Sequence, residues 1–102
     1  TYYKKKKIIN TKLIKEIISK EYNITTKDLD SKKRTRQIAY PRQIAMYITR
    51  QCTDLSLPKI GEEFGGRDHS TVIHAYDKIE KDMDEDPVLK IKINDIIKKI
   101  KM

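Results

Sequence analysis

The sequence predicts an all-α fold, a single small helical domain that contains a helix-turn-helix. Aliphatic residues recur at helical spacing along the chain, and no strand-like alternation of apolar and polar residues stands out. A chain of 102 residues can bury one modest core, so a second independent domain is not expected. Two candidate helices flank Phe64-Gly65-Gly66-Arg67, and a glycine-containing turn between two helices is the layout of a helix-turn-helix.

The first third of the chain predicts an amphipathic helix, a short helical turn and a cationic loop. The helix is expected over about residues 11–22, with Ile9, Leu13, Ile14, Ile17 and Ile18 on its apolar face and Lys12, Lys15, Glu16 and Lys20 outside it. A turn of helix should follow, capped by Thr25 or Thr26. Residues 31–36 carry four basic side chains and nothing apolar to bury, which indicates a loop.

Pro41 is expected to begin the next long helix, because proline is well tolerated in the first turn of a helix. This helix should continue to about Thr53. Its apolar face is formed by Ile44, Ala45, Ile48 and Cys52. Arg42 and Arg50 are expected to point away from that face.

The second half predicts the helix-turn-helix and a closing helix. Ser56 should cap a short helix with Pro58 in its first turn, and Gly65 and Gly66 suit the left-handed end of that helix. Asp68 should cap the next helix, which residues 84–87 break. The apolar stripe of this helix is Val72, Ala75, Tyr76, Ile79 and Met83, and that of the closing helix is Val88, Ile93, Ile96, Ile97 and Ile100.

Positive charge is concentrated in the first half of the chain. Residues 1–50 contain 14 Lys and Arg against 4 Asp and Glu, whereas residues 51–102 contain 9 against 11. A basic region of this kind favours an acidic polymer or surface as partner, and nucleic acid is the commonest one. A general enrichment in lysine is the alternative explanation of the excess.

Several other classes of protein are disfavoured. Asp68, His69 and Ser70 are residue types of a hydrolase triad, but neighbours on a helix diverge by about 100° each, so no catalytic residue is predicted. His69 and His74 are five apart and no metal site is predicted. The single Cys52 excludes an internal disulfide, and no apolar run approaches the length of a membrane span. A soluble, cytoplasmic protein is expected.

The first turn after Asp68 has the chemistry of a DNA reader. In DNA-binding helix-turn-helix proteins this turn enters the major groove. Asp68 can accept from a cytosine amino group, His69 and Ser70 can donate or accept, and the Thr71 methyl can touch a thymine methyl. An ordinary polar first turn is the alternative. The nearby Arg-rich loop favours the DNA-reading interpretation, because arginine side chains enter narrow minor grooves.

Four runs of sequence closely resemble the C-terminal DNA-binding domain, domain IV, of the bacterial replication initiator DnaA. They are Pro41-Arg42-Gln43-Ile44-Ala45-Met46, Ser56-Leu57-Pro58-Lys59-Ile60-Gly61, Phe64 to Val72, and Lys78-Ile79. A weaker resemblance covers nearly the whole chain. Residues 9–102 are accordingly interpreted as the DNA-binding domain and residues 1–8 as a basic extension from a preceding segment.

The resemblance implies an all-α fold related to that of the Trp repressor. It also implies that the domain binds A·T-rich DnaA boxes, with a sequence like TTATCCACA, at the replication origin, and that this binding serves the initiation and regulation of chromosomal replication. By the same resemblance, bases are expected to be read by Arg34 in the minor groove, by Leu57 and Pro58 on thymine methyls, and by Asp68, His69, Ser70 and Thr71 in the major groove. Phosphate contacts are expected from Lys33, Arg36, Arg42, Gln43, Arg50 and Lys78. Backbone contacts of this kind set the register on the duplex more than they specify its sequence.

Two departures from the family pattern stand out: Ser70 replaces a more frequent Thr, and Tyr40 occupies a position where a basic residue is common. No cofactor is expected, since ATP belongs to an upstream domain of the full-length family and no phosphate-binding loop is present. The fragment should bind double-stranded DNA as a monomer. The lysines at 4–7 leave open a weak additional contact with acidic phospholipid.

Overall fold

The computed structural model describes residues 9–102, and that range contains six helices and no strand. The helices are α1 (Thr11–Tyr22), α2 (Thr26–Asp30), α3 (Arg36–Cys52), α4 (Leu57–Glu63), α5 (His69–Glu85) and α6 (Pro87–Lys101). The predicted all-α fold with a helix-turn-helix is confirmed, and the helix-turn-helix is formed by α4 and α5. The basic extension predicted for residues 1–8 lies outside the described residues.

Local capping signals account for most of the helix bounds. The Ser56 hydroxyl accepts from the Lys59 N–H at 3.2 Å, and Asp68 caps α5. Thr25 caps α2 in a reciprocal arrangement, with its hydroxyl on the Asp28 N–H and the Asp28 carboxylate on the Thr25 N–H. The caps at Ser56 and Asp68 were predicted, and of the two candidates for α2, Thr25 and Thr26, Thr25 is the cap. Each cap satisfies N–H groups that a helix start would otherwise leave without a partner.

The predicted start of α3 at Pro41 is wrong, because the helix begins five residues earlier at Arg36. The Thr35 carbonyl accepts from the N–H groups of Ile38 and Ala39 at 3.0 and 2.7 Å, so the first turn is closed before Pro41 is reached. Pro41 therefore lies inside the helix, where its missing N–H removes one i→i−4 hydrogen bond and its ring crowds the carbonyl of Gln37. The cationic loop is shorter by one residue and ends at Thr35.

Helix α3 is the centre of the domain. It packs against all five other helices, most extensively against α5 and α1, and its residues Ile44, Ala45, Met46 and Ile48 are fully or almost fully buried. The largest buried side chains include Ile14 and Ile18 of α1, Ile44, Met46 and Ile48 of α3, Phe64 at the end of α4, and Ile93, Ile96 and Ile100 of α6. The core therefore holds α5, and with it the helix-turn-helix, against α3.

Outside the candidate interface, Lys15 and Val88 differ from their predicted exposure. Lys15, predicted outside, has only 13% of its side chain exposed; its ammonium binds Asp30 at 2.7 Å and also the Glu63 carbonyl. Val88, predicted inside, is 75% exposed. The inward face of α6 is set by residues 93, 96 and 100, and Val88, five residues before Ile93, lies about 140° around the helix from it. No helix among residues 9–102 is long and apolar enough to cross a membrane.

Candidate nucleic-acid interface

The turn between α4 and α5 is built on glycine. Gly66 has a φ of +75°, and Gly65 one of +79°, a left-handed conformation that glycine adopts without steric cost. The Arg67 N–H returns to the Gly61 carbonyl at 2.8 Å, so the chain folds back on α4. A Cβ atom at Gly61 would collide with the Arg67 carbonyl oxygen. The turn is thereby fixed tightly against α4 and sends α5 outward.

The first turn of α5 is exposed and capped. One oxygen of Asp68, Oδ1, accepts from both the N–H and the hydroxyl of Thr71, each at 3.1 Å. The hydrogen bond from the Thr71 N–H is the main reason that the pKa of Asp68 lies below its usual range, so this carboxylate is charged at neutral pH. His69, Ser70 and Thr71 are all exposed. The four predicted base-reading residues of this turn therefore form one polar, solvent-facing surface.

A shallow concavity of about 180 Å³ lies between α3 and α5, next to this turn. Its polar lining comes from Arg42, Gln43, Arg67, Thr71 and His74. Gln43 was predicted from the sequence as a phosphate contact, whereas His74 and Arg67 were not assigned any role. His74 follows Thr71 by three residues, so the two share a face of α5. That spacing was the signal that could have identified His74.

Arg42 is buried, with 6% of its surface exposed, and the prediction that it points away from the core is wrong. Its guanidinium donates to three backbone carbonyls of the preceding segment: Nε to Leu29 at 3.0 Å, Nη1 to Lys33 at 3.0 Å, and Nη2 to Asp28 at 2.9 Å. Burial, followed by the charge of Arg67, lowers its pKa. Arg42 shapes the loop from inside the protein and presents little of its charge to solvent.

The loop that Arg42 holds, residues 31–35, is the basic loop. Lys33 pairs with Asp28 at 3.2 Å, and its side chain remains largely exposed. Arg34 is exposed, and no side chain among residues 9–102 holds it in place. Arg36, the first residue of α3, stacks over the Tyr40 ring at 4.6 Å from the centroid. Within the described residues, the unpaired guanidinium of Arg34 therefore lies in the chain between two positioned cations, Lys33 in the basic loop and Arg36 at the start of α3.

Tyr40 joins α3 to α5. Its hydroxyl donates to Asp82 Oδ2 at 2.7 Å, and this bond is the main reason that the pKa of Asp82 is lowered. Lys78 pairs with the same carboxylate at 3.4 Å and lies 5.8 Å from the Tyr40 ring centroid. The aromatic ring that departs from the family pattern thus touches two predicted phosphate-binding cations, Arg36 and Lys78.

Arg50 is not brought to the concavity. Its guanidinium stacks over the Tyr76 ring at 4.3 Å. Tyr76 follows His74 by two residues, which is about 200° around α5, so Arg50 lies beside a different face of that helix. Leu57 and Pro58 open α4; Leu57 is half-buried against the core and Pro58 is exposed. Among the described residues, no three His, Cys, Asp or Glu side chains are grouped to hold a metal ion.

The sequence of this chain is similar to one known family of proteins. The family model for the bacterial dnaA protein helix-turn-helix matches residues 11–79. The matched range runs from the start of α1 into α5, and it includes the basic loop, the glycine turn and the exposed first turn of α5.

Proposed function

Because this chain belongs to the family of bacterial DnaA helix-turn-helix domains, which bind DNA in DnaA, we propose that it recognises a DnaA box in double-stranded DNA. The box is TTATCCACA-like, and the role is to place an initiator at the replication origin and regulate its use. The exposed first turn of α5, beyond a glycine turn that fixes its direction, is the observation that carries this proposal.

In the major groove, the first turn of α5 reads base edges. His69 and Ser70 supply groups that donate or accept, and the charged Asp68 accepts from an exposed amino group of a base. Thr71 offers its methyl group to a thymine while its hydroxyl stays on Asp68. Leu57 and Pro58, at the start of α4, make apolar contact with thymine methyls.

In the minor groove, Arg34 reads the narrow A·T-rich part of the box. Its exposure and freedom from ion pairs within residues 9–102 support this role, because a guanidinium already paired would have to give up its partner first. A narrow A·T-rich minor groove concentrates negative potential and attracts arginine. The basic loop begins directly after Asp30, whose carbonyl lies against Gly65, so the segment assigned to the minor groove and the turn that precedes the major-groove residues are close together.

Phosphate contacts fix the register of the domain on the duplex. Gln43 and His74 line the concavity beside Thr71, and we assign further phosphate contacts to Lys33 next to the basic loop and to Arg36 and Lys78 beside Tyr40. The buried Arg42 contributes by holding the basic loop and by its field, whereas Arg50 lies beside another face and reaches a phosphate only further along the backbone. Backbone contacts of this kind position the protein without specifying sequence.

Binding by charge alone is the competing function. It predicts equal affinity for all duplexes and a steep dependence on salt, because affinity then comes from released counterions. A fluorescence-anisotropy titration of the protein against a TTATCCACA duplex and a scrambled duplex, at two salt concentrations, separates the two. Preference for the box by about a hundredfold that survives added salt supports sequence readout. Equal binding that collapses with salt would contradict it.

A further inference from the structure

Two segments that lie far apart in the chain are in direct contact at the candidate interface. The basic loop follows α2, and the glycine turn follows α4, more than 30 residues later. A Cβ atom at Gly65 would collide with the Asp30 carbonyl oxygen, so the glycine turn packs directly on the residue that precedes the basic loop.

Arg67 bridges these segments with its planar guanidinium. Nη1 donates to the Phe64 carbonyl in the glycine turn, and Nη2 donates to the Ser31 carbonyl at the start of the basic loop. Burial is the main cause of the lowered pKa of Arg67, in keeping with a guanidinium held inside this junction. The planar fork of a guanidinium lets two separate nitrogens donate to carbonyls of two different segments.

Lys15 adds a second tie at the same junction. Its ammonium binds the Asp30 carboxylate at 2.7 Å and the Glu63 carbonyl, the last residue of α4. The stem of Lys15 is mostly covered, and the ammonium lies 4.8 Å from the centroid of the Phe64 ring. Together the two cations join the end of α4 to the start of the basic loop.

We propose that Arg67 is a positioning residue that fixes the distance between the basic loop and the first turn of α5, so that the minor groove and the major groove are read in a single register. The proposal rests on the DNA-reading function above. Arg67 follows the glycine turn and precedes Asp68, so displacement of its guanidinium frees the Ser31 carbonyl without removing the cap of α5. The consequence is that Arg67 governs minor-groove readout by Arg34 without contacting that groove itself.

The test uses base analogues that alter one groove at a time. Replacing adenine by 2,6-diaminopurine places an amino group in the minor groove, and replacing thymine by uracil removes a methyl group from the major groove. Wild-type protein should lose about tenfold in affinity on each modified TTATCCACA duplex, the usual size of a one-position defect. Arg34→Ala should lose the diaminopurine sensitivity and keep the uracil sensitivity.

Arg67→Lys keeps the charge and removes the fork. It should behave as Arg34→Ala does: the diaminopurine penalty falls to about twofold or less, whereas the uracil penalty stays near tenfold. The double variant should show no further change, because both substitutions remove the same contribution. Lys15→Met retains an apolar side chain beside Phe64 but removes the ammonium that ties Glu63 to Asp30. It tests the same junction independently of Arg67 and should also reduce the diaminopurine penalty.

Outcomes that overturn the proposal are distinct from failure of the proposed function. If Arg67→Lys and Lys15→Met leave both penalties unchanged, or reduce both together, Arg67 supplies charge or general stability and does not position the loop. If wild-type protein binds the box and a scrambled duplex equally, the DNA-reading function itself is wrong, whatever the variants do.

Discussion

Arg42 Nε donates to the Leu29 carbonyl oxygen at 3.0 Å, and this bond is one of three that a single buried guanidinium makes to the backbone before α3. The sequence assigned Arg42 to the DNA backbone, yet its position inside the domain makes it first a support for the basic loop. The loop has no apolar side chain of its own to bury between residues 31 and 35, so it depends on such bonds for its shape.

Arg42→Ala should therefore destabilise the protein as well as weaken DNA binding. Three backbone carbonyls lose a charged donor, and we expect a loss of about 3 kcal/mol in the free energy of unfolding, measured by urea denaturation. Lys59→Ala, at an exposed position of α4, should change that free energy by less than about 0.5 kcal/mol. An Arg42→Ala protein as stable as the Lys59→Ala control would show that the buried bonds do not support the loop.

Gly61 in α4 and Gly66 in the glycine turn should respond differently to substitution by alanine. At Gly61 a Cβ collides with backbone, and we expect Gly61→Ala to cost about 3 kcal/mol, because the Arg67 carbonyl cannot move without opening the turn. At Gly66 a Cβ meets nothing within 4 Å, and only the left-handed φ is unfavourable, so about 1–2 kcal/mol is expected. Urea denaturation of both variants gives the comparison. A cost at Gly66 equal to or above that at Gly61 would contradict the close approach of the turn to α4.

The cap of α5 should give stability a measurable dependence on pH. The folded pKa of Asp68 is below its ordinary value, so the charged carboxylate stabilises the protein at pH above about 4 and this contribution disappears as the pH falls through the folded pKa. Asp68→Asn caps a helix without titrating. The difference in free energy of unfolding between wild type and Asp68→Asn should be largest near pH 6–7 and shrink towards pH 2. If the difference in free energy of unfolding between the two proteins is the same at pH 3 and pH 7, the Asp68 cap is not the source of the pH dependence.

Ser70→Thr restores the residue more common in the family and should sharpen readout of one thymine. A methyl group buried against a thymine methyl contributes about 0.8 kcal/mol, which corresponds to about fourfold in affinity for the TTATCCACA duplex. The gain should vanish on a duplex in which uracil replaces thymine. Titration of both proteins on both duplexes checks this, and a gain of equal size on the uracil duplex would mean that Ser70 faces no thymine methyl.

Local sequence signals predicted the elements that depend on neighbours in the chain. Ser56, Thr25 and Asp68 cap helices within three residues of themselves, and the glycines at 65 and 66 end α4 by their own conformation. The start of α3 was missed because proline is common in the first turn of a helix, and Pro41 was assigned there. The first turn is in fact closed by backbone hydrogen bonds to the Thr35 carbonyl, which no side chain in the sequence signals.

The sequence could predict which side chains of the candidate site are exposed on local helices and loops. It could not predict side chains whose hydrogen-bond partners lie far away along the chain. His69, Ser70 and Arg34 are exposed, as a reading surface requires. Arg42 and Arg67 bind carbonyl oxygens 9 to 36 residues away along the chain, and no spacing rule connects an arginine to a backbone group of another segment. Burial of a charged side chain is set by the packed fold, so the sequence assigned Arg42 a surface role.

The central claim is that the first turn of α5 reads sequence, and His69→Ala tests it most directly. Affinity of this variant and of wild type is measured by fluorescence anisotropy on the TTATCCACA duplex and on a scrambled duplex of equal composition, with His74→Ala as a control of the same residue type on the same helix. His69→Ala should lose about 1–3 kcal/mol on the box and little on the scrambled duplex, whereas His74→Ala should weaken both alike. If His69→Ala leaves the ratio of the two affinities unchanged, the first turn of α5 does not read the bases.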